Sequence, residues 1–536
     1  MEPQVFIDYL YDWKEHAWGE FTVKYIGNEK AVRDFERLLP KEGKLDKNAF
    51  SSGLSGIVGN FAAIVEGQRW IVAVVDKIRS YPIFYIERDG SFCVSNSARF
   101  LKKKLSLSEI DDISLLEFRM AGYVTGRETL YKFLYQLQAG ELIVWDKINE
   151  VSERKRYYLF YSQEIRQESE DELIDELDDI TNNIFQRIIE EAKGAPIWVP
   201  LSGGLDSRLV LCKLKQLNYG NLAAYSYGPP GNYEAKAAGY VAEKIGVPWV
   251  FMPSTMKNAK KYFRSGFRRK YWDFSDSLCS LPYNQDIQCL WENRDEEIIP
   301  QDAIVINGNS GDFITGGHIP EYFINMDSVN MDMLIDSVIQ KHFSSWLSLK
   351  TTLNMEKIKG KLKSLLKIDE RYELMPQVLA KHLEWWEWQE RQSKYVVNGQ
   401  RNYDFLGLSW ELPLWADEYL FFWRTIPLQM KCNQTLYKSY LLKKDFFGLF
   451  RDFPIKIWRW PGPLILIIPI VRIIKLILGA HIAENIYKFL SYWGHYRNLY
   501  AQYGMYPYFK NIFDMRGFNS LTVNQWLNEE NIFGDM

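Results

Sequence analysis

Cysteine and histidine are scarce in this chain of 536 residues, with five of the first and six of the second. The cysteines Cys93, Cys212, Cys279, Cys289 and Cys432 form no CxxC pair. That argues against a disulfide framework or a zinc cluster and fits a reducing cytosol. No HExxH or HxxxH pair occurs either, which argues against a zinc hydrolase. Net charge is nearly absent too: 65 Lys+Arg against 68 Asp+Glu leaves −3. A surface so balanced is poorly suited to binding nucleic acid over its whole extent. The first twenty residues carry acids and no apolar run, so no secretory signal is expected. Neither an internal repeat nor a low-complexity tract is present. What remains is ordinary for a globular chain, with 47% hydrophobic and 25% charged residues, but aromatic-rich, with 19 Trp.

Three units are expected. Over 1–150 short β-rich runs (IVGNFAAIV, RWIVAVVD, YPIFYIE, SFCVSN and, after a turn at Ala139-Gly140, ELIVW) alternate with turn signals and helical pieces at 28–39 and 113–120, an α+β grammar. An acid-rich stretch at 162–179 reads as a linker and the first helix of the next unit. Over 170–450 strands alternate with helices: PIWVPL, then a helix at 205–216; NLAAYSY, then a helix at 233–245; then PWVFM and AIVIN. Such alternation predicts an α/β fold with a parallel sheet covered by helices. From about residue 331 the text is mainly helical. Residues 451–536 read as a helical extension containing one very apolar segment.

The strongest chemical signal is Ser202-Gly203-Gly204-Leu205-Asp206-Ser207. It follows a predicted strand and opens a predicted helix, so backbone N–H groups and the positive end of the helix dipole meet at one loop. Gly203 and Gly204 let the backbone approach a phosphate closely. Ser202 and Ser207 offer hydroxyls. Asp206 would repel a bare phosphate, so its expected task is to hold Mg2+ between itself and phosphate oxygens. An ordinary glycine turn with a Ser/Asp helix cap is the plainer alternative.

SGGLDS resembles the pyrophosphate loop of the N-type ATP pyrophosphatases. Three further stretches resemble the asparagine synthetase family in particular. Asn307-Gly308-Asn309-Ser310-Gly311-Asp312, running on to Gly316-Gly317-His318, is similar to its second glycine-rich loop. ELPLWAD at 411–417, followed by Thr425-Ile426-Pro427 and Leu436-Tyr437-Lys438, resembles its substrate-side helix and lysine segment. Asp76 with Tyr81-Pro82-Ile83-Phe84-Tyr85, Thr129-Leu130 and Gly140 resembles, more diffusely, the glutaminase domain that precedes the synthetase. The resemblance implies a HUP-type, adenine nucleotide α-hydrolase-like parallel-sheet domain behind an α+β Ntn-hydrolase-like domain. It implies ATP and Mg2+ as cofactors, a small-molecule carboxylate as substrate, and ammonia or an amine as nitrogen source. By position, Leu201, Tyr227, Asn307 and Gly308 would hold adenosine. Ser202, Gly203, Gly204, Asp206 and Ser207 would cradle pyrophosphate. Asp206 and Asp312 would bind the metal, and Lys438 would stabilise charge developing during adenylation. Glu234 falls at an often acidic position, where a helix first-turn carboxylate is an equal explanation. His318 reads as a loop residue near the ATP site rather than a ligand.

Departures from the family pattern are as informative. The family's glutaminase uses a cysteine at its second residue, with that residue's own α-amino group as base; here Glu2 stands there, and Val75 replaces a common arginine beside Asp76. Glutaminase activity is therefore expected to be absent, with free ammonia or a nitrogen-donating partner in its place. Asn309 replaces a glutamate that helps form the acyl-adenylate, and Glu411 replaces an arginine, a change expected in the electrostatics of the acceptor pocket. The wording ERQSKYVVNG and LPLWAD resembles family members encoded among surface-polysaccharide genes, which implies a sugar uronate as an alternative acceptor to aspartate. A catalytically weak scaffold protein, and a tRNA-modifying pyrophosphatase, are the competing readings. Two surfaces bear on partners. Seven cations between Lys257 and Lys270 have no acid among them and read as a solvated basic helix or a contact for anionic headgroups or sugar nucleotides. The segment LILIIPIVRIIKLIL at 464–478 is shorter than a spanning helix and is interrupted by Pro469, Arg472 and Lys475. It reads as a core helix, a re-entrant or interfacial anchor, or, least favoured by its length and charges, a true span, with Lys456, Trp458, Arg459 and Trp460 as suitable interfacial flanks. A cytoplasmic place is expected, with peripheral contact at the inner face of the membrane as the variant of it.

Overall fold

A computed structural model describes residues 3–40, 46–88, 90–163, 165–326, 330–366, 375–453, 466–479, 482–483, 486, 502–516 and 519–532. Glu2, the flank with Lys456, Trp458, Arg459 and Trp460, and residues 464 and 465 lie outside them.

The N-terminal unit is two stacked sheets. Strands β1 (Gln4–Phe6), β2 (Lys14–Trp18), β3 (Phe21–Gly27), β4 (Phe61–Glu66), β5 (Trp70–Val75), β6 (Phe84–Arg88), β7 (Ser91–Ser95), β8 (Leu134–Gln136), β9 (Glu141–Asp146) and β10 (Val151–Arg156) make an antiparallel sheet in the order β10-β9-β5-β4-β3-β2 and a smaller one in the order β1-β7-β6-β8. The two-residue period of a strand explains the layering. Ala63, Val65, Val72, Val74, Leu142 and Val144 share a core with Phe35 and Phe50 of the helices Glu29–Leu38 and Lys47–Ser55. The alternate residues Ala62, Ile64, Ile71, Ala73, Ile143 and Trp145 meet Tyr85, Phe92 and Val94 of the second sheet. Both faces of the central strands are therefore buried, which is why they read as near-continuous apolar runs. A boundary at 150 cuts between β9 and its hairpin partner β10, so the unit extends through Arg156. Strands β1 to β3 carry too mixed a composition to be read from the sequence.

The second unit begins with a helix, Glu170–Ala192, nucleated by a capping box between Ser169 and Glu172 and ended by left-handed Lys193. Five parallel strands follow: β11 (Ile197–Pro200), β12 (Leu222–Gly228), β13 (Trp249–Pro253), β14 (Ile304–Ile306) and β15 (Ser409–Glu411), in the order β13-β12-β11-β14-β15. The helices Leu205–Gln216 and Tyr233–Ile245 lie where the sequence places them. The three-residue β15 sits inside a stretch that reads as helical. Because the chain steps from β11 toward β13 on one side and returns to β14 on the other, the order reverses between β11 and β14. Ligands of open parallel sheets bind outside the carboxyl ends of the strands at such a switch point.

The described residues of the C-terminal extension include one helix packed on the N-terminal unit. That helix is Ser520–Glu529, with Trp526 4.8 Å from Phe118, centroid to centroid. Glu529 accepts two bonds from buried Arg268, at 2.5 and 2.8 Å, between the rings of Phe263 and Trp272. This removes Arg268 from the basic run. Lys257, Lys260, Lys261, Arg264, Arg269 and Lys270 remain exposed.

Candidate active site

Both glycine loops open at the switch point. After β11, Leu201 is buried and its N–H donates to Tyr225 O of β12 at 2.7 Å. The loop folds on itself: Ser207 Oγ accepts from Ser202 N at 3.1 Å and lies 3.0 Å from Ser202 Oγ, which accepts from Gly204 N. Beneath it, buried Arg208 donates to the Gly203 carbonyl at 2.7 Å. A Cβ on Gly203 would press on Ala237 of the neighbouring helix at 3.2 Å. Glu234, on that helix, is exposed. Tyr227 closes this side from the end of β12, half-buried.

After β14 the second loop runs directly against the first. A Cβ on Gly308 would stand 3.0 Å from the Asp206 carbonyl carbon and the Ser207 nitrogen, and one on Gly311 would stand 2.6 Å from Asp206 Oδ1 and Leu414 Cδ1. The two glycines are what allows the loops to touch. Between them Ser310 holds a left-handed φ of 69°, its hydroxyl donating at 2.7 Å to Gln392 Oε1 of a buried π-helix, Trp388–Val396. Such backbone strain in a non-glycine residue gathers at functional sites. Asn307 is buried, takes the Glu411 carbonyl on its N–H at 3.0 Å and offers its amide to Tyr403 Oη at 3.3 Å. Asn309 is half-buried, its N–H on Asn307 Oδ1 at 3.1 Å and its amide nitrogen 3.4 Å from Gln285 Oε1.

Two carboxylates meet at the loop junction. Asp206 Oδ2 accepts from the Asp312 N–H at 3.0 Å, and Asp206 Oδ1 accepts from Tyr437 Oη at 2.9 Å. Burial, with the Asp312 charge added, pushes the Asp206 carboxyl up to about 7. Asp312 itself is exposed, and although desolvation works upward, its bond to His318 Nε2 at 3.0 Å holds it below the ordinary carboxylate range. The other ring nitrogen of His318 is bonded to Glu387, a fully buried carboxylate that also takes Lys341 Nζ at 3.1 Å. Desolvation lowers the His318 pKa, but its two carboxylate partners outweigh that and raise it. His318 is therefore more than a loop residue: it orients Asp312 from a buried anchor. Gln285 and Glu387 carry no signal in the sequence because each reaches the site from a distant element, and the bonds that Tyr437 and His318 make to the two aspartates show only in the fold.

Gly316 and Gly317 seat the segment that carries the lysine. A Cβ on Gly316, at φ 90°, would overlap the Lys431 carbonyl. Gln434 donates to Thr315 Oγ1 at 2.7 Å. The left-handed pair Asn433 and Gln434 then opens the helix Thr435–Lys444. Lys438 is exposed, and its ammonium rests on the Asn433 carbonyl at 2.6 Å. The structure thus unites Leu201, Ser202, Gly203, Gly204, Asp206, Ser207, Tyr227, Asn307, Gly308, Asn309 and Asp312 at one crevice, and leaves the Lys438 ammonium bonded to its own helix entrance.

One expectation is corrected. The Glu411 carboxyl does not face the glycine loops. It opens onto a cleft between the two units lined by Asp76, Lys77, Arg187, Glu191 and Asp417, where Lys77 bridges the units through Asp417 at 2.6 Å. Burial, then the Glu191 charge, pushes Glu411 up to about 7. Another acidic group, Asp273, Asp276 and Glu530, already has its cation: Arg99 lies among them, 2.6 Å from Glu530.

Residues 192–443 match the family model described as Asparagine synthase. This segment is an asparagine synthase domain, and the family implies ATP-dependent amide formation from a carboxylate and ammonia or an amine. Among solved structures, one titled as the allosteric regulatory enzyme of purine biosynthesis is similar at 10% identity, covering 54% of this chain and 55% of its own, with a TM-score of 0.18. A glutamine phosphoribosylpyrophosphate amidotransferase from B. subtilis, complexed with ADP and GMP, is similar at 9% identity over 54% and 56%, with a TM-score of 0.17. The chain thus spans about half the length of each. No curated protein sequence matches it.

Proposed function

We propose that this chain converts a sugar uronate to its amide, with aspartate as the rival acceptor. A carboxylate oxygen attacks the α-phosphorus of ATP and pyrophosphate leaves. Ammonia then bonds the acyl carbon, AMP leaves with the electrons of the C–O bond, and the nitrogen sheds a proton to solvent. The observation that carries the reading is the contact of the two glycine loops around Asp206, with Asp312 donating to it across the seam. Leu201, Tyr227, Asn307 and Gly308 stand at strand ends where adenosine would seat. The Gly203 N–H and the Ser202 and Ser207 hydroxyls suit pyrophosphate, while the N–H groups of Ser202 and Gly204 brace the loop from within.

Mg2+ fits this site. Buried Asp206, facing the Asp312 charge, resists ionisation, a cost that a divalent cation would offset, and the two carboxylates are the hard oxygen donors Mg2+ takes. Bound by Asp206 and Asp312, it would supply charge neutralisation on the phosphates. Tyr437 and His318 fix the two carboxylates. Lys438 would release the Asn433 carbonyl to meet negative charge developing on the acceptor. Asn309 favours the uronate: a neutral amide gives the ammonium of aspartate no countercharge, whereas its oxygen and NH2 can pair with sugar hydroxyls.

The N-terminal unit is proposed not to hydrolyse glutamine. Asp76, buried after β5, spends its oxygens on the N–H groups of Phe61, Ile78 and Ser80, which leaves it little to offer an amino acid. Nitrogen then comes from ammonia or a donating partner in the cytoplasm. The test is AMP release from ATP and Mg2+ with ammonium or glutamine, offering aspartate or a panel of nucleotide-linked uronates. AMP with a uronate and ammonium is the expected result. AMP with aspartate alone would make this an asparagine-forming enzyme, glutamate from glutamine would restore the glutaminase, and no AMP under any condition would move weight to a scaffold.

A further inference from the structure

The apolar segment resolves into an eleven-residue helix, Ile468–Leu478, and its side chains are not in a core. Val471 is buried, but Leu466, Ile470, Ile473, Leu476, Ile477 and Leu478 are all exposed, Leu476 by 87%. The expectation of a core helix is thereby overturned. A soluble protein rarely leaves so much contiguous apolar surface uncovered, so the helix has an occupant.

Its chemistry selects that occupant. At 100° per residue Arg472 and Lys475 fall on one narrow stripe, while Ile470, Ile473 and Ile477 fall on the opposite arc, with Leu476 and Leu478 flanking it. The apolar arc covers more than half of the circumference. A protein groove covers one stripe of a helix, whereas lipid closes around a wide arc and lets a cationic stripe reach the headgroups. The charge is one-sided as well: from 453 to 483 the sequence holds Lys456, Arg459, Arg472 and Lys475 and no acid. That pattern complements an anionic surface. Eleven residues extend about 16 Å, against about 30 Å of hydrocarbon, so the helix lies in the interface instead of crossing it. Among the described residues no helix is long and apolar enough to cross a membrane. Farther along, Met505, Tyr506, Phe509 and Phe513 are also exposed, a further apolar surface in which Tyr506 is of the kind that settles at headgroup level.

We infer that the helix Ile468–Leu478 docks this protein peripherally on an anionic lipid bilayer. The inference is independent of which acceptor is amidated. The test is flotation of the full chain with vesicles of phosphatidylcholine alone and of phosphatidylcholine mixed with phosphatidylglycerol. Wild type is expected to float with the mixed vesicles. The triple variant Ile473→Ser, Leu476→Ser, Ile477→Ser is expected to partition about a hundredfold less, with its circular dichroism and its size in solution unchanged. Arg472→Glu with Lys475→Glu is expected to lose the preference for the anionic mixture. Equal flotation of wild type and the triple variant would overturn the proposal. So would a wild-type dimer in solution that ignores vesicles and that the triple variant dissociates, since a second copy would then be the occupant.

Discussion

Two aspartates follow a central strand, Asp76 directly after β5 and Asp206 in the first turn of the helix after β11, and they are used in opposite ways. Asp76, after β5, is buried and surrounded by donors of its own neighbourhood: three backbone N–H groups within 3.1 Å. Asp206, beyond β11, is held by groups from distant elements and set facing another carboxylate. Burial raises both pKa values. The first arrangement ties a loop together and stabilises the fold. The second costs stability, because two carboxylates within reach of one hydrogen-bonded seam repel when both ionise. An acid whose needs are met locally is structure, and an acid left in want of a cation marks the place where the molecule does chemistry.

The sharpest way to break this contrast is to remove each acid in turn. Asp206→Ala is expected to cut AMP release by about a hundred- to a thousandfold while the protein stays folded; near-normal release would take Asp206 out of the site. Asp76→Ala is expected to do the reverse. It strands buried N–H groups and should cost about 3 kcal/mol of stability, read as a lower denaturant midpoint, with release per folded molecule retained. Gly311→Ala sits between them. Its new methyl meets the Asp206 carboxylate and Leu414, so it is expected to cost about 1 to 3 kcal/mol and to lower release at least about tenfold by pushing Asp206 aside. Full activity in Gly311→Ala would show that the loops need not touch.

Legibility in the sequence followed how local each feature is. SGGLDS and NGNSGD could be read because strand, glycine turn and helix are consecutive, and the helix after β12 carries its own caps, Asn232 and Gly246. The groups that aim the two aspartates could not. Tyr437 is 231 residues from Asp206, and Glu387 is 69 from His318; neither belongs to a local pattern. Strand β15 is only three residues long, too short to show a period. The position of Glu411 was legible and its direction was not: in a strand, one step of register decides which surface receives the side chain, and here it is the cleft between the units. The apolar helix shows the same limit. Its composition fits a core or an interface, and only its exposure separates the two.

The smallest expected effect also discriminates best, because Asp206 and Glu411 are both pushed up to about 7 but lie in different places. A carboxyl raised in the folded state binds its proton there while the unfolded chain has already released it. Stability therefore falls as pH climbs from the ordinary carboxylate range to about 7, and is level above that. Replacing either acid by its amide removes this loss. Asp206→Asn and Glu411→Gln are both expected to melt close to wild type near about pH 5 and to exceed it by about 1 kcal/mol near about pH 8. Thermal unfolding at the two pH values measures it. Activity then separates them: Glu411→Gln should release AMP like wild type, since its carboxyl faces the cleft, whereas Asp206→Asn should release almost none. If Glu411→Gln also lost activity, the cleft between the units would have to be counted as part of the reaction path. If Asp206→Asn gained no stability at the higher pH, the pair with Asp312 would not be short of a cation, and the case for Mg2+ at that seam would fall with it.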